Sequence, residues 1–447
     1  MKSFALLLAL AFAQSFEKET VDRLQEYLRV DTINPPGNES RAVELFARFL
    51  EAEGIPYETA ESAPGRGNLW ARLEGGAEPA LVLLNHTDVV PADPGYWETS
   101  PLSGEIKDGQ IWGRGALDMK GTGLLQLQAF IALKRSGKPL RRDVVFVATA
   151  DEEAGGFYGA GWLVENRPEI FEGAKLLLNE GGGGTLASGV TTFDVEVTQK
   201  VPLWLRLTAS DEPGHGSTPR VSSAVSRLIR ALGNIDDYEF PPRIVPAVEI
   251  YFEGLAESQQ GEWKNRFGSI ADAVKDPRFL LGLQLGNPSL HALTRNTCSI
   301  TRLEGSSKIN VVPPEVSAEI DCRLLPDQNA EAFVEDLRSI VNDAGVRIET
   351  LMAFTPAVSS TDSDLYRAIE TVVERHYPGS RVIPSVSTGF TDSHFFRDLG
   401  IVAYGFDPTV VPAELQGTVH GNNERVPVEP IERGVGHLLE ILQILVH

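Results

Sequence analysis

The sequence predicts an α/β protein: a mixed, largely parallel sheet with helices on both faces, and a smaller α+β domain inserted into it. Three observations carry this expectation. Short, largely apolar runs at 80–84, 143–149 and 175–178 flank a helical stretch, as in a sheet buried on both faces. The middle of the chain then changes to half-exposed strands and amphipathic helices. From about residue 362 the first pattern resumes, and 447 residues leave room for two cores.

Taken in order, 16–30 and 40–53 space their apolar residues as helices do. The helix expected over 119–134 carries Leu124, Leu125, Leu127, Phe130 and Leu133 on its apolar side. In the middle, 203–208, 298–302, 317–323 and 346–351 read as strands, while 222–232 and 331–344 read as helices. Two β-α-β units of this kind suit a small α+β domain, expected to span 197–354. Within it, 257–289 is polar and reads as an irregular insertion. A helix at 362–375 and a strand near 401–404 complete the larger domain, expected over 14–196 and 355–447.

The N-terminus places Lys2 before an apolar run from Phe4 to Phe12, followed by Ala11-Phe12-Ala13 and Gln14. This is the pattern of a signal peptide over 1–13, and it predicts a secreted or periplasmic protein. An apolar helix packing on the body is the alternative, with a cytoplasmic location. The run is too short to span a bilayer. Net charge is −22, from 62 acidic and 40 basic side chains, a field that repels phosphate backbones and anionic lipids. Nucleic acid and membrane are therefore not expected partners. Cys298 and Cys322 lie on strand-like segments, where a disulfide and two buried thiols are both open.

Chemistry concentrates at the ends of the apolar strands. His86 and Asp88, in HTDVVP, supply a metal-binding imidazole and a carboxylate close enough to orient it. Asp118, in GRGALDMKG, opens a helix, where a carboxylate can cap the helix and still bridge two cations. Asp151-Glu152-Glu153, in DEEAGG, repel one another unless something positive compensates them. Adjacent glutamates can divide the work, one binding metal and the other taking a proton from water. Glu180 in NEGG and His420 in VHGNNERVP complete a nitrogen and oxygen donor set. Such a set suits a pair of zinc ions about 3.5–4 Å apart.

With GHGSTP at 214–219, these segments resemble the metallopeptidase family of aminoacylase, acetylornithine deacetylase, succinyl-diaminopimelate desuccinylase, glutamate carboxypeptidase and yeast carboxypeptidase S. The resemblance covers nearly the whole chain after the leader. It implies that Asp118 bridges two divalent metal ions, zinc by preference. His86 and Glu180 would complete one ion, and Glu153 and His420 the other. Glu152 would be the general base, Asp88 would steady His86, and His215 would stabilise the oxyanion, in many relatives from a partner subunit. Asn310, Arg323 and Gly389 would bind substrate, with Arg323 reading a free carboxylate. An Arg323 paired to Asp321 is the competing view. His394 stands where many relatives have arginine, so no role is carried to it.

The implied activity is hydrolysis of an amide or peptide bond next to a free carboxylate, in an N-acyl amino acid or at a peptide C-terminus. A dipeptidase of the same family is the nearest alternative. A metal-binding relative without turnover would be expected to lose a ligand or the base, and all are present. A dinucleotide-binding oxidoreductase would need a glycine-rich turn where Asn85-His86-Thr87-Asp88 stands. A homodimer through the inserted lid domain is implied by analogy, and the insertion over 257–289 could obstruct it.

Overall fold

The computed structural model describes residues 2–187 and 189–447, without the side chains of 2–14 and 187. The side chains of the expected leader at 1–13 thus lie outside the described residues. The chain forms two compact units. The first comprises Met1–Val197, Ser359–Pro384 and Thr391–His447, and the second Thr198–Val358 and Ser385–Phe390. Among the described residues no helix is long and apolar enough to cross a membrane.

The first leg of the chain forms helices α1 (Lys2–Leu28), α2 (Ser40–Ala52), α3 (Lys120–Ser136) and α4 (Ala160–Asn166). Its strands are β1 (Tyr57–Glu61), β2 (Gly67–Leu73), β3 (Glu78–His86), β4 (Glu105–Lys107), β5 (Gln110–Trp112), β6 (Arg142–Thr149), β7 (Ala174–Asn179), β8 (Gly183–Ala187) and β9 (Val190–Gln199). The middle leg adds strands β10 (Val201–Ser210), β11 (Gly214–His215), β12 (Thr297–Glu304), β13 (Val311–Val312), β14 (Glu315–Leu324) and β15 (Val346–Ala353). Its helices are α5 (Ala224–Asp236), α6 (Pro246–Ala256), α7 (Gly261–Phe267), α8 (Ile270–Ala273), α9 (Pro277–Gly286), α10 (Pro288–Ala292) and α11 (Ala330–Val341). The last leg contributes α12 (Asp364–His376), β16 (Arg381–Ser387), α13 (Ser393–Arg397), β17 (Val402–Gly405), β18 (Val410–Pro412), α14 (Ala413–Gln416), β19 (Arg425–Pro427) and α15 (Val428–Val446).

In the first unit the main sheet runs β1-β2-β6-β3-β7-β17-β9-β8-β18, with β16 paired to β9. Strands β6, β3, β7 and β17 are parallel, and the flanking pairs are mostly antiparallel. Strand β3 shows why its sequence is an unbroken apolar run. Leu81 and Leu83 enter the core that includes side chains of α1, α2, α3, α12 and α15, while Val82 and Leu84 pack with Leu163 of α4 and Phe396 of α13. All four are fully buried, each contributing roughly 1.5–3 kcal/mol of transfer free energy. Helix α3 ends at Gly137, whose φ of 63° is the left-handed cap that glycine adopts freely. The parallel register sets His86 beside Thr149 and Leu83 beside Leu178. The carboxyl ends of β3, β6 and β7 therefore open on one edge of the sheet, where ligands bind in such folds.

The second unit has an antiparallel sheet in the order β12-β14-β10-β15. Its inward residues, Leu203, Leu205 and Leu207, share a core with Leu228 of α5 and Leu337 of α11. Ser223 and Ser226 form a capping box at the start of α5. Cys298 and Cys322 oppose each other in the β12–β14 register and are joined by a disulfide, the first of the two states left open by the sequence.

Two expectations are corrected. The stretch over 257–289 is not irregular: it lies within the helical run α6 to α10, around a core containing Phe252, Phe267, Phe279 and Leu283. Helices of 4 to 11 residues are too short to show an apolar period, and prolines start three of them. Lys200 joins the end of this run to the sheet, donating to the carbonyls of Ala292 and Arg295, both at 2.8 Å, and to Thr297 Oγ1 at 3.0 Å. Residues 385–390 were expected in the larger domain and belong to the second unit. Val386 enters the helical core, and Phe390 meets Trp204 and Phe354 edge-on.

On α15, His437 is buried with its ring 4.4 Å from that of His376 and 5.5 Å from that of Tyr377. Burial, reinforced by the charge of His376, lowers its pKa to about 4. The unfolded chain titrates this imidazole near ~6.5 and so takes up its proton first. Stability is therefore lost as pH falls through the window from about 6.5 to about 4. We expect urea unfolding of His437→Phe between pH 7 and 4 to show an acid loss smaller by on the order of 3 kcal/mol. An unchanged acid limb would show that His437 does not set it.

Candidate active site

The five donors predicted from sequence come together in the first unit as two overlapping groups. One is His86, Asp118 and Glu180, and the other Asp118, Glu153 and His420, with the donor atoms of each within 4.8 Å of one another. Asp118 belongs to both, one oxygen to each side. Its Oδ1 lies 3.2 Å from His86 Nε2, and its Oδ2 lies 3.0 Å from His420 Nε2. Glu180 Oε2 is 3.3 Å from His86 Nε2, and Glu153 Oε2 is 3.2 Å from His420 Nε2.

Local sequence explains each placement. His86 ends β3, and its Nδ1 faces the main-chain carbonyl of Asp88 at 3.0 Å, which turns Nε2 towards the carboxylates. The Asp88 carboxylate itself is 3.4 Å from that nitrogen. Its shorter bonds come from Glu152 N at 3.1 Å, Glu153 N at 3.2 Å and Asn34 Nδ2 at 2.8 Å. Asp88 thus fixes the turn that carries the two glutamates as much as it steadies His86. Sequence reasoning missed this bond pattern and missed Asn34, which lies far off in the chain with no motif to mark it.

The three adjacent acids after β6 part company. Asp151 faces Arg66 Nη2 at 3.3 Å, and Glu153 faces His420. Glu152 approaches no cation more closely than His86 Nε2 at 4.0 Å, and its Oε1 is buried without a hydrogen-bond partner among the described residues. Gly156 allows the turn to close, because a Cβ there would lie 2.2 Å from Asp392 Oδ1.

The electrostatics fit a divalent pair. Burial raises Glu152 well above the carboxylate range, with the charge of Glu180 adding to it. Burial also lifts Glu180 to about 8, and His86 offsets only part of that rise. Hydrogen bonds to Asp118 and Glu153 raise His420 to about 10, and the charge of Glu180 lifts His86 in spite of its burial. Burial opposes ionisation of Asp118, yet the two histidines hold it below the usual range. Protons hold such a cluster together only where cations do not, and metal binding displaces them. Glu153 Oε1 is also buried without a partner among the described residues. Nitrogen and oxygen donors in this number are those that zinc takes.

The remaining predicted residues belong to the second unit. His215 on β11 pairs with Val311, and Gly216 N donates to the Asn310 carbonyl at 3.0 Å, so His215 and Asn310 are neighbours. Arg323 is held by Asp321 through bonds of 2.7 and 2.9 Å, the competing view from sequence. Its Nη1 is buried without a partner among the described residues, and its guanidinium lies 5.4 Å from the Phe390 ring, next to Gly389. His394 is buried on α13 of the first unit, where burial lowers it to about 3.

If Asp118 bridges two ions, removing His420 removes one of them. We expect His420→Ala, metal-stripped and reloaded, to hold one ion per chain where the parent holds two, as read by elemental analysis after gel filtration. Two ions in the variant would exclude His420 as a ligand.

A profile of peptidase family M20/M25/M40 matches residues 82–444, a span that holds every donor from His86 to His420. The chain is 29% identical over 458 residues to N-fatty-acyl-amino acid synthase/hydrolase PM20D1 of Xenopus tropicalis, covering 96% of this chain and 86% of that protein. It is 29% identical over 427 residues to aminoacylase-1B of Rattus norvegicus, covering 94% and 93%. Among solved structures, the M20 family metallo-carboxypeptidase Sso-CP2 from Sulfolobus solfataricus shares the fold, with a TM-score of 0.74 at 22% identity over 96% of this chain and 99% of that one. The chain therefore belongs to peptidase family M20/M25/M40 and is a metallohydrolase.

Proposed function

We propose that the protein hydrolyses the amide bond of N-acyl amino acids with two zinc ions, held by His86, Asp118 and Glu180 and by Asp118, Glu153 and His420. The observation that carries this is the Asp118 carboxylate, with one oxygen facing each histidine, together with Glu152, whose buried Oε1 has no hydrogen-bond partner among the described residues. When bound, the ions would polarise the scissile carbonyl and acidify the attacking water. Glu152 takes a proton from that water as the new C–O bond forms. It returns the proton to the departing nitrogen as the C–N bond breaks, so one water is added and the carboxylate is regenerated. Asp88 holds the Glu152 main chain in place for both transfers.

N-acyl amino acids are preferred over dipeptides because the sequence relatives reported above are named for acyl-amino-acid chemistry. His215, Asn310, Arg323 and Gly389 are assigned to oxyanion and carboxylate binding by family resemblance. The unpartnered Arg323 Nη1 supports the carboxylate role, since a guanidinium held by one carboxylate still offers donors to a second.

Export and dimerisation extend the reading. The Lys2 start, the apolar run, the Ala11-Phe12-Ala13 site and the disulfide support an oxidising compartment. Strand β12 is the edge of its sheet and leaves Leu303 67% exposed, with Ile229 of α5 64% exposed. These features favour a self-contact through the second unit. Intact mass and sedimentation of protein recovered from outside producing cells are expected to give a dimer of chains starting at Gln14. An uncleaved monomer would count against both.

The central test is turnover of N-acyl amino acids of graded acyl length, alongside dipeptides, with zinc. Glu152→Ala is expected to lower kcat by about 10²–10⁴-fold while two ions remain bound. Retained turnover in that variant would remove Glu152 from the reaction, and turnover of dipeptides alone would favour the dipeptidase reading.

A further inference from the structure

Glu424 lies four residues after His420, inside the VHGNNERVP segment, and is fully buried. Its carboxylate accepts four hydrogen bonds, all from one short segment. Oε2 accepts from Arg114 Nη1 at 2.6 Å and Gly115 N at 3.1 Å. Oε1 accepts from Leu117 N at 2.8 Å and from Asp118 N, the main chain of the shared ligand, at 3.2 Å. The link runs both ways. Arg114 Nη2 donates to the Gly421 carbonyl at 2.8 Å, and Gly113 N donates to the Glu424 carbonyl at 3.1 Å. Beyond Glu424, β19 pairs with β5, which sets Arg425 beside Trp112.

Asp118 and His420 are far apart in the chain and share no helix or strand. The distance between them must therefore be set by what ties their segments together. A buried carboxylate needs its lone pairs satisfied, and the guanidinium of Arg114 alone could have done this. Here three main-chain N–H groups take part, two of them from Leu117 and Asp118, so the anion also shapes the loop that aims the Asp118 side chain.

We propose that Glu424 is a positioning residue of the metal centre: it holds the Asp118 and His420 segments at the separation that binding of the second ion requires. This rests on the two-ion reading above. A glutamine at this position keeps the size but turns an N–H₂ group towards donors, so part of the cradle opens. The ion held by Glu153 and His420 loses the most, because both its Asp118 and His420 contacts depend on the link. The ion held by His86 and Glu180 keeps two ligands that β3 and β7 position.

The test is zinc titration of metal-stripped chains against a competing chelator, with circular dichroism of the stripped form. In a His86→Ala chain, which leaves the His420 side of the site, adding Glu424→Gln is expected to weaken zinc by about 10–100-fold. In a His420→Ala chain the same addition is expected to change affinity by less than about 3-fold. Arg114→Lys keeps the Glu424 anion and loses the fork that reaches Gly421, and it is expected to show the same asymmetry if Glu424→Gln does not fold. Excess zinc should restore kcat in the Glu424→Gln single variant at unchanged KM. Equal weakening of both ions, or none, overturns the proposal. A parent chain that binds fewer than two ions overturns the two-ion reading instead.

Discussion

Buried negative charge at one edge of the sheet is the constraint on which the rest of the first unit depends. Asp88, Asp118, Asp151, Glu152, Glu153, Glu180 and Glu424 gather around the ends of β3, β6 and β7, and few of them see solvent. An ionised carboxylate taken out of water is tolerated only with close positive or N–H partners. The protein satisfies some of these groups itself. Asp151 has Arg66, Glu424 has Arg114, and Asp88 has two main-chain N–H groups and Asn34. Among the described residues, Asp118, Glu153 and Glu180 are left facing only imidazoles, and Glu152 comes no nearer than 4.0 Å to one. The boundary between satisfied and unsatisfied carboxylates outlines the reactive centre.

Much of this centre was legible in the sequence because the parallel strands are buried on both faces. Their apolar runs are conspicuous, and a polar residue just past such a run must sit at the sheet edge. His86, Glu152, Glu153 and Glu180 all follow this logic. What the sequence hid were partnerships between distant segments. The N–H bonds of Glu152 and Glu153 to Asp88 and the cradle around Glu424 involve main-chain donors, which carry no residue signature. Glu424 stood inside a recognised motif, yet nothing in its spacing reveals that its carboxylate turns back to Asp118.

The second unit was harder to read for a different reason. Strand β14 alternates cleanly along its length, and β10, β12 and β15 were legible as short strand-like runs. The helices between α5 and β12 were not, because each is short and the apolar residues of their shared core are scattered along the chain. The disulfide was visible only as an option, since strand-like segments show which residues can be opposed but not the register that opposes them. Arg323 was read as a forked cation with two candidate partners, a substrate carboxylate and Asp321. The structure places one partner, Asp321, on it and leaves one nitrogen over.

More than half of the chain lies between Glu180 and His420, and the whole second unit is made in that interval. A ribosome therefore releases the first four candidate metal donors long before the fifth. Until the segment at 419–427 emerges, the nascent protein has four of the five predicted donors and no link from Glu424 to the Asp118 segment. On the proposed two-ion reading, hydrolytic competence arrives only at the end of translation. A chain cut short anywhere before His420 is left without the imidazole that faces Asp118 Oδ2, however well its sheet has folded.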